Sequence, residues 1–235
     1  MRVHVEPAAA WAASVSTAFH SWLGARAQPR LGLAVGTTVE PVYQRMAPVL
    51  IADATIFLLG EYGGMAVDHP ARWATLLRRG PLGRGTFPGP RFRWPDVDAH
   101  DLVKECRRYE EEIADGGLDL VVLGLGPNGH VGLNEPGSTP DTTTRVVHLT
   151  AASQQASRQY GIADPPSWAI TVGLGTVLSA REIWLVVTGR RKRVILDRVL
   201  NGPVEPDVPA SLLRTHPNVT CWVDDAALPR HHAHR

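Results

Sequence analysis

Six short apolar runs, each bounded by glycine or polar residues, constrain the fold of this chain more than any other feature. They lie at residues 31–35, 54–59, 118–125, 144–149, 182–189 and 218–223. Most are apolar throughout, which is typical of strands covered on both faces. Helical patterns stand between them, at residues 8–23, 98–116 and 188–202. This alternation predicts an α/β fold, a doubly wound, mostly parallel sheet with helices on both faces in a Rossmann-like three-layer sandwich.

The length and composition favour a single domain. The chain has 235 residues, 44% of them hydrophobic, which is enough for a sizeable core. We expect one domain over residues 1–228 and a flexible tail over 229–235. Residues 78–98 are rich in glycine, proline and arginine, which predicts a long surface loop.

The charge balance and the cysteines indicate the kind of partner and compartment. Lysine plus arginine (24) nearly equals aspartate plus glutamate (23), so we expect no nucleic acid or membrane partner. No run approaches the roughly 20 apolar residues of a membrane span. Residues 1–23 lack the basic start and long apolar segment of a signal peptide. Cys106 and Cys221 lie far apart, which suits reduced thiols in a cytoplasmic protein.

Two of the predicted strand ends could bind an anion. Gly36, Thr37 and Thr38 follow the first run and would make a phosphate cradle, although a plain glycine turn with a threonine cap is equally typical. Lys192 lies near the start of the last helix, where a basic residue opposes the helix dipole unless an anion is present.

Two other strand ends carry residues that can transfer protons. Glu61 follows the second run and could serve as a general base, but a solvated loop glutamate is the favoured interpretation. His130 and Glu135 follow the third run, next to Gly126 and other glycines that let a ligand approach the backbone closely. Because ligands gather at the carboxyl ends of parallel strands, His130 and Glu135 are predicted to form the catalytic core.

These motifs resemble the glucosamine-6-phosphate deaminases, also called isomerases, and their relatives the 6-phosphogluconolactonases. The resemblance covers nearly the whole chain, and the pair "NGHVGLNEPGS" (128–138) and "TVGLGTVLSA" (171–180) is highly specific. It implies an enzyme that opens the ring of an amino-hexose 6-phosphate and converts it to fructose 6-phosphate plus ammonia, without a metal or organic cofactor. It also implies a mobile lid over residues 139–168 and, for a short chain, a monomer or small homo-oligomer.

The resemblance assigns roles residue by residue. Gly36, Thr37, Thr38 and Gly126 would bind the phosphosugar, with positive charge from Arg158 and Lys192. His130 would open the ring with Glu135 as its partner.

The chain departs from the family pattern at two positions. Family members usually read Asp-Glu-Tyr where this chain reads Gly60-Glu61-Tyr62, so the expected base for the C2 proton is missing and Glu61 is its candidate replacement. They read Asp-Gly-His where this chain has Asn128, which can hold the His130 ring but stabilises its charged form less.

Two alternatives stay open. One is a divergent phosphosugar isomerase or lactonase without deaminase activity, since lactone hydrolysis needs His130 but no C2 base. The other is a non-catalytic phosphosugar-binding protein, which would have no need of His130.

Overall fold

The computed structural model describes residues 1–46, 51, 53–79 and 91–229. Its strands are β1 (Arg2–Glu6), β2 (Arg30–Leu33), β3 (Thr55–Leu58), β4 (Gly60–Tyr62), β5 (Phe92–Arg93), β6 (Leu120–Gly124), β7 (Arg145–His148), β8 (Trp168–Thr171), β9 (Ile183–Val187) and β10 (Val219–Asp224). Its helices include α1 (Trp11–Gly24), α2 (Glu40–Tyr43), α3 (Trp73–Arg79), α4 (Leu102–Ala114), α5 (Ala151–Ser157), α6 (Leu174–Leu178) and α7 (Arg193–Asn201).

A seven-stranded parallel sheet forms the centre of the molecule. Its order is β1-β10-β9-β6-β2-β3-β5, and every neighbouring pair is parallel. The predicted doubly wound α/β fold is therefore confirmed.

Strand β6 shows why its sequence is apolar throughout. Leu120 and Val122 point to the face covered by α1, whereas Val121 and Leu123 point to the face covered by α4 and α7. All four side chains are at most 1% exposed. Helices on both faces leave no position of the strand for a polar side chain.

A second, three-stranded antiparallel sheet has the order β4-β8-β7. The predicted strand over residues 144–149 is β7 and belongs to this small sheet. Strands β1, β4, β5 and β8 are not among the six predicted runs.

The predicted helix over 98–116 is α4. It begins after Asp101, whose carboxylate accepts the backbone N–H of Lys104 at 3.0 Å.

Both cysteines are free and buried. The predicted loop over 78–98 is not loop throughout, because residues 78 and 79 end helix α3 and residues 91–98 contain β5. Residues 80–90 of this loop and 230–235 of the predicted tail lie outside the described residues. No helix in the described ranges is long and apolar enough to cross a membrane.

Candidate active site

A cavity of about 970 Å³ opens at the carboxyl ends of β2, β6 and β9. The segments that follow these strands line it, at residues 34–39, 124–127 and 188–192. His130 lies in its wall, and helix α5 with the 3₁₀ turn Arg158–Tyr160 also lines it, through residues 152, 153, 155, 156, 159 and 160. This is the crevice in which open α/β sheets bind their ligands.

The imidazole of His130 is held by an amide and a carboxylate. Its Nδ1 lies 2.8 Å from Asn128 Oδ1, and Asn128 Nδ2 donates to Glu135 Oε2 at 2.8 Å. Glu135 Oε2 also accepts from the Thr150 hydroxyl at 3.1 Å and lies 3.8 Å from His130 Nδ1. The structure therefore brings His130, Asn128 and Glu135 together.

This network fixes which ring nitrogen carries the proton. A carboxylate only accepts hydrogen bonds, so Asn128 must turn its Nδ2 towards Glu135 and its Oδ1 towards the ring. His130 Nδ1 consequently donates to Asn128, and Nε2 is the nitrogen left to meet a ligand.

The surroundings of His130 favour the neutral ring. Burial lowers its pKa from the ordinary 6.5, Glu135 raises it, and the charge of Lys192 lowers it, with a lowered pKa as the result. A neutral imidazole with a free Nε2 can accept a proton at pH 7.

Glu135 retains an unused acceptor. Glu135 is 6% exposed, and its Oε1 is buried without a hydrogen-bond partner among the described residues. A buried carboxylate oxygen without a donor is costly. Glu135 is not among the described residues that line the cavity, so this oxygen belongs to the buried network behind the ring rather than to the cavity wall.

Gly126 lies against the face of the His130 ring. A Cβ at Gly126 would come within 2.4 Å of the ring atoms, and its N–H donates to the His130 carbonyl at 2.9 Å. Any residue other than glycine at position 126 would therefore displace the His130 ring.

The cavity also carries hydroxyl and basic groups. Gly36, Thr37 and Thr38 line it together with Lys192, whose Nζ donates to the Leu125 carbonyl at 2.6 Å. Burial lowers the pKa of this ammonium group. Arg190 and Arg191 also line the cavity.

The structure does not bring Arg158 to the cavity. Its side chain is exposed and donates to the Ala163 carbonyl at 3.0 Å. Its neighbours Gln159 and Tyr160 line the cavity instead, and Gln159 Oε1 lies 3.5 Å from the Thr37 hydroxyl.

The structure does not bring Glu61 to the cavity either. Glu61 is 1% exposed within β4, so its interpretation as a solvated loop residue is wrong. Its Oε1 accepts the N–H groups of Tyr62 at 2.8 Å and Trp73 at 2.9 Å, and its Oε2 accepts that of Ala74 at 2.9 Å. Glu61 thus satisfies the first N–H groups of α3, which lack partners within their own helix.

Gly60 is confined by the small sheet. A Cβ at this position would lie 2.8 Å from the Ile170 carbonyl oxygen of β8 and 3.3 Å from the Leu133 side chain. A larger residue would require the β4–β8 pairing to shift. No aspartate or glutamate is among the described residues that line the cavity.

The site also contains residues that the sequence interpretation missed. Ser153 and Thr150 contact the His130 network from α5 and its cap, and Tyr62 and Tyr160 line the cavity. Burial raises the pKa of Tyr160 to about 12, so it stays protonated at neutral pH. In the described part of the chain, no cluster of three or more histidine, cysteine, aspartate or glutamate side chains could hold a metal ion.

The fold and the cavity define a doubly wound α/β protein with a histidine-centred site at the strand ends. The family model of glucosamine-6-phosphate isomerases and 6-phosphogluconolactonase matches residues 4–222. The chain belongs to this family, whose members are enzymes.

Curated relatives and solved structures agree with this assignment. A glucosamine-6-phosphate deaminase of Rhodopirellula baltica is 42% identical over 206 residues, which are 84% of this chain and 82% of that protein. A deaminase of Beutenbergia cavernae is 36% identical over 98% of this chain and 92% of its own length.

Among solved structures, a monomeric glucosamine-6-phosphate deaminase superposes with a TM-score of 0.90 at 30% identity, covering 97% of this chain and 98% of its own. The 6-phosphogluconolactonase of Trypanosoma brucei has a TM-score of 0.75 at 19% identity, over 96% and 97% of the two chains, and shows the shared fold.

Proposed function

We propose that this protein opens the ring of an amino-hexose 6-phosphate by proton transfer at His130. The observation that carries the proposal is the placement of the His130 ring, whose Nδ1 is held by Asn128 and whose Nε2 is left for a ligand in the strand-end cavity. The similarity to glucosamine-6-phosphate deaminases supports an amino sugar as the substrate.

The phosphate would bind at the basic end of the cavity. Gly36, Thr37, Thr38 and Lys192 would contact it, because backbone N–H groups, hydroxyls and an ammonium group are the donors that phosphate accepts from. A bound phosphate would also favour the charged form of Lys192, whose pKa burial lowers. Arg158 would contribute only if the 3₁₀ turn Arg158–Tyr160 moved.

The reaction at C1 needs one proton relay. Nε2 of His130 accepts the proton of the anomeric hydroxyl, the bond between C1 and the ring oxygen breaks as the C1 carbonyl forms, and the imidazolium returns the proton to the ring oxygen. Glu135 stabilises the transient imidazolium from 3.8 Å.

Deamination would need a second base for the C2 proton. Gly60 has no side chain to act as this base, and both oxygens of Glu61 are hydrogen-bonded to backbone N–H groups. No carboxylate is among the described residues that line the cavity. Absence of a general base typically costs 10²–10⁴-fold in rate. We therefore propose that ring opening is much faster than deamination in this protein.

The same absence favours lactone hydrolysis as a second candidate reaction. A neutral His130 can activate a water molecule for attack on a lactone carbonyl, which requires no proton transfer at C2. A phosphosugar lactonase without deaminase activity would use the same phosphate end.

The test follows glucosamine 6-phosphate in deuterated water by proton NMR, with ammonia assayed in parallel and the His130→Ala variant as control. We expect a C2 proton that exchanges slowly and little ammonia with the unmodified protein. Rapid ammonia release that depends on His130 would show that another group acts as the base. Hydrolysis of 6-phosphogluconolactone, measured on the same samples, decides for or against the second candidate.

We also propose that residues 1–228 form one domain with residues 139–168 as a lid, since α5 and the turn after it line the cavity. The protein would act in the cytoplasm as a monomer, as the similar monomeric deaminase is described.

A further inference from the structure

Ser153 is a buried residue of helix α5 whose hydroxyl contacts the ring of His130, the proposed catalytic residue. It is 5% exposed, lines the cavity, and lies in the first turn of α5. Its Oγ is 3.1 Å from His130 Nδ1. No role in the proposed reaction described so far involves it.

The position of Ser153 gives His130 Nδ1 a second oxygen neighbour. Asn128 Oδ1 lies 2.8 Å from the same nitrogen. Because the Asn128 amide is oriented by Glu135, Nδ1 carries the hydrogen and Ser153 Oγ is placed to share it as an acceptor. Two acceptors on Nδ1–H hold the plane of the ring more firmly than one.

A neighbouring residue ties the same helix to Glu135. The Thr150 hydroxyl accepts the Ser153 backbone N–H at 3.3 Å as the cap of α5, and it donates to Glu135 Oε2 at 3.1 Å. The first turn of α5 therefore contacts both His130 and its carboxylate partner.

We propose that Ser153 is a positioning residue, which holds the His130 ring with Nε2 towards the cavity only while α5 lies in the place seen here. This inference rests on the proposed role of His130. Movement of α5 would remove one acceptor from Nδ1 and would leave Asn128 alone to orient the ring.

The charged groups around His130 come from other parts of the chain. Glu135 follows in the same strand-end segment, and Lys192 approaches from the turn before α7. Arg190 and Arg191 line the same cavity. Ser153→Ala keeps all of these charged groups and removes, besides the contact with His130, only the 3.4 Å contact with the Thr150 hydroxyl.

The experiment measures the His130 ring directly in ligand-free protein, by ¹⁵N NMR of the histidine nitrogens across pH. The variants are Ser153→Ala and Ser157→Ala. Ser157 is the matched control, because it is buried in the same helix at 1% exposure and donates to the Gln154 carbonyl, away from the ring.

We expect Ser153→Ala to lower the pKa of His130 by about half a pH unit, since one acceptor of the charged ring is lost. The fraction of neutral ring protonated at Nδ1 should fall as well. Ser157→Ala should reproduce the unmodified protein in both readouts. The buried His216, whose Nε2 lies 2.8 Å from the Ala180 carbonyl, reports whether each variant is folded.

An unchanged His130 pKa and tautomer in folded Ser153→Ala would overturn the inference. If Ser153→Ala does not fold, Ser153→Cys serves instead, because a thiol is nearly the same size and a weaker acceptor; it should shift the pKa in the same direction. The NMR measurement needs no substrate. A failure of the proposed reaction can therefore be told apart from a failure of the proposed role of Ser153.

Discussion

The buried glutamates Glu61 and Glu135 differ in the groups that their carboxylate oxygens are hydrogen-bonded to. Glu61 is 1% exposed, and both of its oxygens are used by backbone N–H groups that join β4 to the start of α3. Glu135 is 6% exposed, and only its Oε2 is bonded, to side chains of the His130 network. The backbone bonds of Glu61 tie β4 to α3, whereas the side-chain bonds of Glu135 hold a carboxylate 3.8 Å from the His130 ring.

The largest effect on stability is expected for Glu61→Ala. Loss of the carboxylate would leave three buried N–H groups without an acceptor, at a cost of about 1–3 kcal/mol each. We expect the free energy of unfolding, measured with urea, to fall by at least about 3 kcal/mol, while ring opening per folded molecule stays within about threefold. A stable variant that has lost ring opening would assign Glu61 to catalysis instead.

Glu135→Gln should give the converse result. An amide cannot stabilise the imidazolium by charge, so we expect ring opening to fall by about a hundredfold, the lower end of the range for general acid–base catalysis. The unfolding free energy should change by less than about 1 kcal/mol, because a partner for Asn128 can be kept. Equal losses of stability and activity would contradict the distinction between the two glutamates.

The pH dependence of ring opening should show a smaller effect. Since the pKa of His130 is lowered from 6.5, the active neutral ring is present at neutral pH and is lost as the pH falls through that lowered value. A rate profile should therefore be flat near pH 7, with an acid midpoint below 6.5.

Asn128→Asp provides the matched variant for that profile. A carboxylate beside Nδ1 should raise the acid midpoint by about one unit. An unshifted midpoint would mean that a group other than His130 controls the rate.

The sequence predicted best the strands whose side chains are buried on both faces of the sheet. Strand β6 is apolar throughout because helices cover both of its faces, and its glycine-rich end pointed to His130 and Glu135. Strand β1 was missed since it lies at the sheet edge, where Val3 and Val5 are 42% and 46% exposed and the pattern is mixed. In the antiparallel sheet, β7 was predicted, whereas β4 and β8, of three and four residues, were missed.

The roles of Glu61 and Ser153 depend on contacts that local sequence does not encode. Glu61 meets N–H groups 12 and 13 residues further along the chain. Ser153 meets His130 across 23 residues, through the placement of α5. The resemblance to the family identified the position of the missing aspartate, but only the structure shows that Glu61 is bonded to backbone N–H groups and that Gly60 is confined against β8.

The most direct test of the account is the rate at which the two anomers of glucosamine 6-phosphate interconvert, measured by NMR exchange spectroscopy with the unmodified protein and with His130→Ala. Ring opening by His130 predicts that the protein accelerates this exchange and that the variant loses at least about a hundredfold of the acceleration. Exchange that is equally fast with both proteins, or not accelerated by either, would contradict it.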